Sequence, residues 1–144
     1  MSCEQEITRN NPSVQGLKDG VLWRAVDSHA VLTSSGTITI TGLTQHETLS
    51  LTTDSTNPQT YILGNSDSRI ASYQYSRDGV VINYATGVGV GDGQIVIEEY
   101  DDINKTISGK FRFNAENVDN NPAGAEILNY QQGVFYKIPV TPAL

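Results

Sequence analysis

Apolar and polar residues alternate along most of this chain from Val21 onward. In Thr37-Ile38-Thr39-Ile40-Thr41 the alternation is unbroken, which puts both isoleucines on one face of a strand. Leu49 and Leu51 repeat the pattern in ETLSLTT, and Ile95 and Ile97 repeat it in GQIVIEE. In TISGKFRFNA the apolar face carries Ile107, Phe111, Phe113 and Ala115, against Ser108, Lys110, Arg112 and Asn114 on the other. GVFYKIPV puts Val134, Tyr136, Ile138 and Val140 together. Turn signals separate the runs. Arg77-Asp78-Gly79 contains Asp-Gly and predicts a hairpin, and Asp101 to Lys105 predicts a second. No stretch carries a capped helical period. The pattern predicts an all-β fold, an antiparallel β-sandwich or flattened β-barrel of about eight to ten strands. Trp23, Ile38, Ile40, Ile97, Phe111 and Phe113 are expected in its core. Residues 1–20 read as a flexible N-terminal tether and 21–144 as a single β domain. The polar connection over 117–126 is expected to be an exposed loop.

Composition narrows the function classes. A length of 144 residues fits one domain and suffices for a core without staples. The net charge is −7, and the nine Lys and Arg are scattered singly. No basic cluster exists to neutralise phosphates, so nucleic acid is not an expected partner. A single cysteine excludes an intramolecular disulfide framework.

Candidate chemistry is sparse. Gly87, Gly89, Gly91 and Gly93 recur every second residue in TGVGVGDGQ. A dinucleotide fingerprint needs G-x-G-x-x-G opening a helix, which is not the spacing here. Alternation predicts a side-chain-free stripe on a strand. The simpler reading is that a ring such as Trp23 packs on it or that the strand bends there; the other is that Gly87 and Gly89 floor a shallow ligand groove. Glu98, Glu99, Asp101 and Asp102, with Asp92 nearby, lack the calcium-loop pattern, and the two aspartates suit a turn. His29 and His46 lack zinc-ligand spacing, and no G-x-S-x-G elbow occurs. No metal, cofactor or catalytic residue is expected, and the chain is read as a non-enzyme. Tyr73 and Tyr75 share a strand face. Buried, they are ordinary sheet residues; exposed, they form a binding surface for a glycan or a protein.

The only cysteine is Cys3, in MSCEQE. Ser2-Cys3 followed by a polar, acidic segment resembles the processed end of a bacterial lipoprotein signal. The apolar part of such a signal is missing, so Met1 stands where a removed signal would end. The globular part is similar to a family of small predicted lipoproteins from Flavobacteria and other Bacteroidota, a domain of unknown function. The residues that carry the likeness are Leu17 to Ala25, Gly93 to Ile97, Asp101 to Ala115, and Gly133 to Phe135. This resemblance implies lipidation at Cys3 and an outer-membrane lipoprotein of the cell envelope, its membrane contact made through the lipid anchor. Asp54-Ser55-Thr56 resembles the O-glycosylation triplet of that phylum's exported proteins, which makes Ser55 a candidate acceptor. The favoured expectation is an envelope-anchored, non-catalytic binding or interaction module that meets another envelope protein or a glycan. The alternatives are a calycin-like small-ligand carrier with an internal cavity and, third, an uncharacterised hydrolase.

Overall fold

The computed structural model describes residues 12–143. They form eleven strands: β1 (Ser13–Lys18), β2 (Val21–Arg24), β3 (Asp27–Leu32), β4 (Ile38–Leu43), β5 (Glu47–Thr53), β6 (Gln59–Leu63), β7 (Ile70–Arg77), β8 (Val80–Ala85), β9 (Asp92–Asp101), β10 (Thr106–Asn117) and β11 (Ile127–Pro142). The all-β expectation holds. β10 and β11 are long enough to serve two neighbours on one side. β10 pairs with β9 over most of its length and with β8 at Glu116 and Asn117. β11 pairs with β1 and then, in parallel, with β3 at Val140 to Pro142. The ring β11-β3-β4-β5-β7-β8-β10 therefore closes, with β1–β2 and β9–β6 as flanking pairs. The result is a flattened barrel with two layers, β2-β1-β11-β10-β9-β6 and β3-β4-β5-β7-β8.

The alternating runs point inward as their pattern requires. Ile38 and Ile40 on β4, Leu49 and Leu51 on β5, and Ile95 and Ile97 on β9 are all buried, as are Trp23, Phe111 and Phe113. The layers meet where Tyr73 of β7 packs on Tyr130 of β11, ring centroids 6.2 Å apart. Four buried rings lie across from glycines on the adjacent strand: Gly16 faces Trp23, Gly93 faces Phe113, Gly109 faces Phe135 and Gly133 faces Phe111. A methyl on Gly133 would stand 2.5 Å from three carbons of the Phe111 ring. The glycines make room for rings that a pleated sheet would otherwise crowd.

Three expectations need correction. The tether does not extend to residue 20, because Ser13–Lys18 is strand β1. Its alternation is hidden: the inward positions are Val14, Gly16 and Lys18, only one of them a hydrophobic side chain. The rest of the expected tether, with Cys3, lies outside the described residues. In β11, Val134 and Tyr136 do not join Ile138 and Val140 on the inner face. Gln132 and Lys137 take positive φ (53° and 49°), the register with β10 shifts at both places, and Phe135 faces the core instead. These are β-bulges, each of which reverses the sidedness of the residues that follow.

The glycine run is the third. It is not one strand, since Thr86–Gly91 forms a turn closed by a Gly87–Val90 bridge. Gly89 and Gly91 have φ of +71° and +69°. Around Gly87 and Gly89 a Cβ would meet nothing within 4 Å, so no ring packs there. Trp23 packs edge-on against Tyr130, ring centroids 5.7 Å apart, away from this turn.

Candidate functional site

Two features merit consideration: a polar cluster between the layers and the solvent face of the second layer. The cluster is built around Glu47, the first residue of β5. Its carboxylate accepts hydrogen bonds from Lys18 Nζ at 2.7 Å, from the Tyr73 hydroxyl and from Thr44 Oγ1 at 2.8 Å. Lys18 comes from β1, so the ion pair ties the first strand to the opposite layer. Burial alone would raise the Glu47 pKa. The donors Lys18, Tyr73 and Thr44 outweigh it and hold the group at about 2. Burial, and then the bond to Glu47, push the Tyr73 hydroxyl well above the usual tyrosine range. The Tyr130 hydroxyl and Trp23 Nε1 are buried beside this cluster without a hydrogen-bond partner. A carboxylate that stays ionised and paired at neutral pH is a poor proton acceptor, so the arrangement suits anchoring more than acid–base work.

The second feature follows from the alternation itself. With most of the apolar residues of β4, β5, β7 and β8 turned inward, the alternate positions face solvent. Registered pairing sets them in rows: Thr41, Ser50 and Ser72 in one; Thr48, Gln74 and Asn83 in a second; Thr39 and Thr52 in a third. Thr39 and Thr52 share a hydroxyl hydrogen bond of 3.1 Å, and Gln74 Nε2 donates to Asn83 Oδ1 at 2.9 Å. Every one of these side chains is an uncharged donor–acceptor. Charge stands at the margins, as Asp27 on β3, Glu116 on β10 across from Ala85, and Asp119 beyond β8, while the apolar Leu43, Ile70 and Ala85 fill the remaining register positions of these rows. The solvent face of the first layer differs: it carries Glu98, Lys110 and Arg112, with Lys110 and Glu98 paired at 3.5 Å.

A groove of about 290 Å³ runs along this neutral face, floored by Thr48, Ser50, Ser72, Gln74, Asn83 and Ala85, touching Tyr73 and Tyr84 from the outer side, and walled by Val118. Val118 belongs to the 117–126 connection, which is exposed in most of its residues as expected. It is nonetheless held by its own hydrogen bonds. Asn117, buried at its base, donates to the Asn121 and Ala125 carbonyls and accepts from the Asn121 backbone N–H. Tyr84 donates to the Ala125 carbonyl at 2.8 Å, and Asn83 Nδ2 donates to Asp119 at 2.8 Å. The wall is thus fixed to the floor.

The residues singled out from the sequence are not brought together. Tyr73 and Tyr75 do share a face, but it is the inner one: Tyr73 is 4% exposed and Tyr75 packs, half-buried, beside His46. They are not an exposed binding surface. Gly87 and Gly89 lie in the turn after β8. Ser55 sits half-buried in the turn after β5, its hydroxyl accepting the Asn57 N–H at 3.0 Å. Asp101 caps the β9–β10 turn, as its residue type suggested. Among the described residues, no three His, Cys, Asp or Glu side chains converge as metal ligands, and no helix is long and apolar enough to cross a membrane. Sequence reasoning passed over Lys18 and Glu47, because Lys18 fell in the expected tether. It also passed over the neutral face, whose only signal is that the polar members of alternating strands carry no charge.

Fold and surface together define a small all-β domain with a filled interior and an open, uncharged groove on one layer. The chain belongs to the family described as domain of unknown function DUF6252, whose model matches residues 10–139. No curated protein and no solved structure matches it.

Proposed function

We propose that this domain is a non-catalytic binding module that holds a neutral glycan on the solvent face of β4, β5, β7 and β8, and that a lipid on Cys3 keeps it at the bacterial envelope. The observation that carries the binding reading is the registered block of uncharged hydroxyl and amide side chains beneath a fixed wall. Such groups match the mixed donors and acceptors of a polyhydroxylated ligand, and the chain's net charge of −7 disfavours a polyanion. The interior supports an external site over an enclosed one: Tyr61, Tyr130, Phe113 and Phe135 fill the space a calycin-like carrier would keep open. The anchoring part rests on the sequence likeness at Cys3, outside the described residues.

Titration of the labelled chain with neutral oligosaccharides, followed by amide chemical shifts, tests the binding. Shifts should concentrate at Ser50, Ser72, Gln74, Asn83 and Val118, and Ser72→Lys should abolish them with the fold intact. Shifts that are absent, or that fall on the charged layer, overturn the reading. Mass spectrometry of the native protein tests the anchor: a diacylated or triacylated Cys3 supports it, and a free thiol ends it.

A further inference from the structure

We infer that the end of the barrel opposite the 117–126 loop is a self-association surface, where two copies of this chain exchange Ile103 side chains. At 91% exposed, Ile103 protrudes further than any other large hydrophobic among the described residues. It sits at the tip of the β9–β10 hairpin, and the turn does not need it. Asp101 Oδ1 accepts the backbone N–H groups of Ile103 and Asn104 at 3.0 and 2.9 Å, Asp101 Oδ2 accepts Asn104 Nδ2 at 2.9 Å, and Lys105 takes the positive φ of 55°. Asp, Asn and the residue at positive φ specify the turn, and a β-branched side chain is disfavoured in one. Ile103 therefore stands where neither local conformation nor core burial explains it.

Beside this knob lies a hole. Leu32, Tyr100, Val140, Thr141, Pro142 and Ala143 line a largely apolar groove of about 340 Å³, with Lys105 at its rim. Tyr100 and Lys105 flank the hairpin turn itself, so knob and hole share one end of each molecule. That adjacency favours a second copy over an unrelated partner. A two-fold axis between the two features lets each Ile103 enter the other's groove, and the contact closes on itself. Charge fits the same arrangement. Asp102 and Lys105 pair at 2.7 Å within one hairpin, and the two-fold brings the Asp102 of each copy toward the Lys105 of the other. The patch is small, which places the dimer with weak, reversible associations.

Sedimentation equilibrium on the full chain, up to about 1 mM, reads this directly, with amide shifts on dilution to map the surface. Wild type should show a monomer–dimer equilibrium whose shifts centre on Tyr100 to Lys105 and Val140 to Ala143. Ile103→Asp and, independently, Thr141→Arg at the groove should each weaken it at least tenfold. Both positions are exposed, so unchanged spectra elsewhere would show the fold intact. A wild type that stays monomeric throughout overturns the proposal, as does an Ile103→Asp chain that dimerises normally, or shifts that map away from this end. A monomer whose groove shifts only on adding dodecylphosphocholine also overturns it, in favour of an acyl chain as occupant.

Discussion

Replacing Gly133 with alanine tests the way this core is built. The added methyl would lie 2.5 Å from Cδ2, Cε2 and Cζ of Phe111, against the roughly 3.5–4.0 Å at which carbons attract. Ring or strand must therefore yield by about 1 Å. Phe111 is poorly placed to do so: 2% exposed, it stacks on Phe113 at 6.3 Å and Phe135 at 6.5 Å, and packs on Tyr130 at 6.0 Å. Gly133 does not have a positive φ, so the substitution adds a clash without left-handed strain. Overpacking of this kind costs about 1–3 kcal/mol, and the absence of any free direction puts this case near the upper end. Trp23, the only tryptophan and buried, reports unfolding in urea. The decisive step is a double-mutant cycle. Phe111→Leu removes the atoms that clash, so Gly133→Ala should cost less in that background, with a coupling of at least about 1 kcal/mol. Additivity within about 0.5 kcal/mol would show that the glycine does not make room for the ring.

Other outcomes follow from single residues. Because the Glu47 pKa is lowered from 4.5 to about 2, its contribution is present above the unfolded value and lost as pH falls from 4.5 toward 2. The full shift is worth about 3 kcal/mol, which solvent at the 27% exposed Lys18 reduces to about 1–2. Glu47→Gln should therefore remove much of the acid sensitivity between those pH values in chemical denaturation, and an unchanged pH profile would exclude the cluster as its source. Tyr130→Phe deletes a buried hydroxyl that has no partner, so thermal unfolding should be unchanged or slightly later; a loss above about 1 kcal/mol would mean that the hydroxyl is bonded in solution. Gly89→Ala should cost about 1–2 kcal/mol, because the left-handed backbone is strained while the surrounding space is open, and Gly89→Val more, because a β-branched side chain fits positive φ worse. A loss for alanine well above that range would show that a neighbour packs there after all.

The alternation of Ile38 and Ile40, or of Phe111 and Phe113, was legible because each side chain has one possible destination once a strand forms. The Asp78-Gly79 hairpin was legible because both residues carry the positive φ such a turn demands, 53° and 83°. Where reading failed, a local device had interrupted the period. Gly16 emptied an inward position of β1, so the strand looked like a tail. Bulges at Gln132 and Lys137 reversed sidedness within β11, and neither residue type announces a bulge. The glycine run shows the converse: a perfect period of two that belongs to a turn, because positive φ at Gly89 and Gly91 takes the chain out of extended conformation. Glu47 and Lys18 were invisible as a pair because they lie 29 positions apart and meet only when the layers close.

On the neutral face, folding alone accounts for some residues and leaves others unexplained. Thr39, Thr41, Thr48 and Thr52 are accounted for by strand propensity, and the Thr39–Thr52 bond is an ordinary cross-strand gain. Asn83 is not: asparagine is depleted in strands, yet it stands mid-strand and spends its amide on Asp119 and Gln74. Those bonds join the β7–β8 hairpin to the loop that carries Val118. A solvent face needing only solubility would tolerate Lys and Glu at these outward positions, as the first layer does at Lys110 and Glu98. Here the charge is withheld from the middle of the face, and the polar groups that remain are spent on fixing a wall to a floor. That combination is what distinguishes the groove from a merely solvated sheet, and it is why the binding reading is placed on β5, β7 and β8 and not on the tyrosines that first drew notice in the sequence.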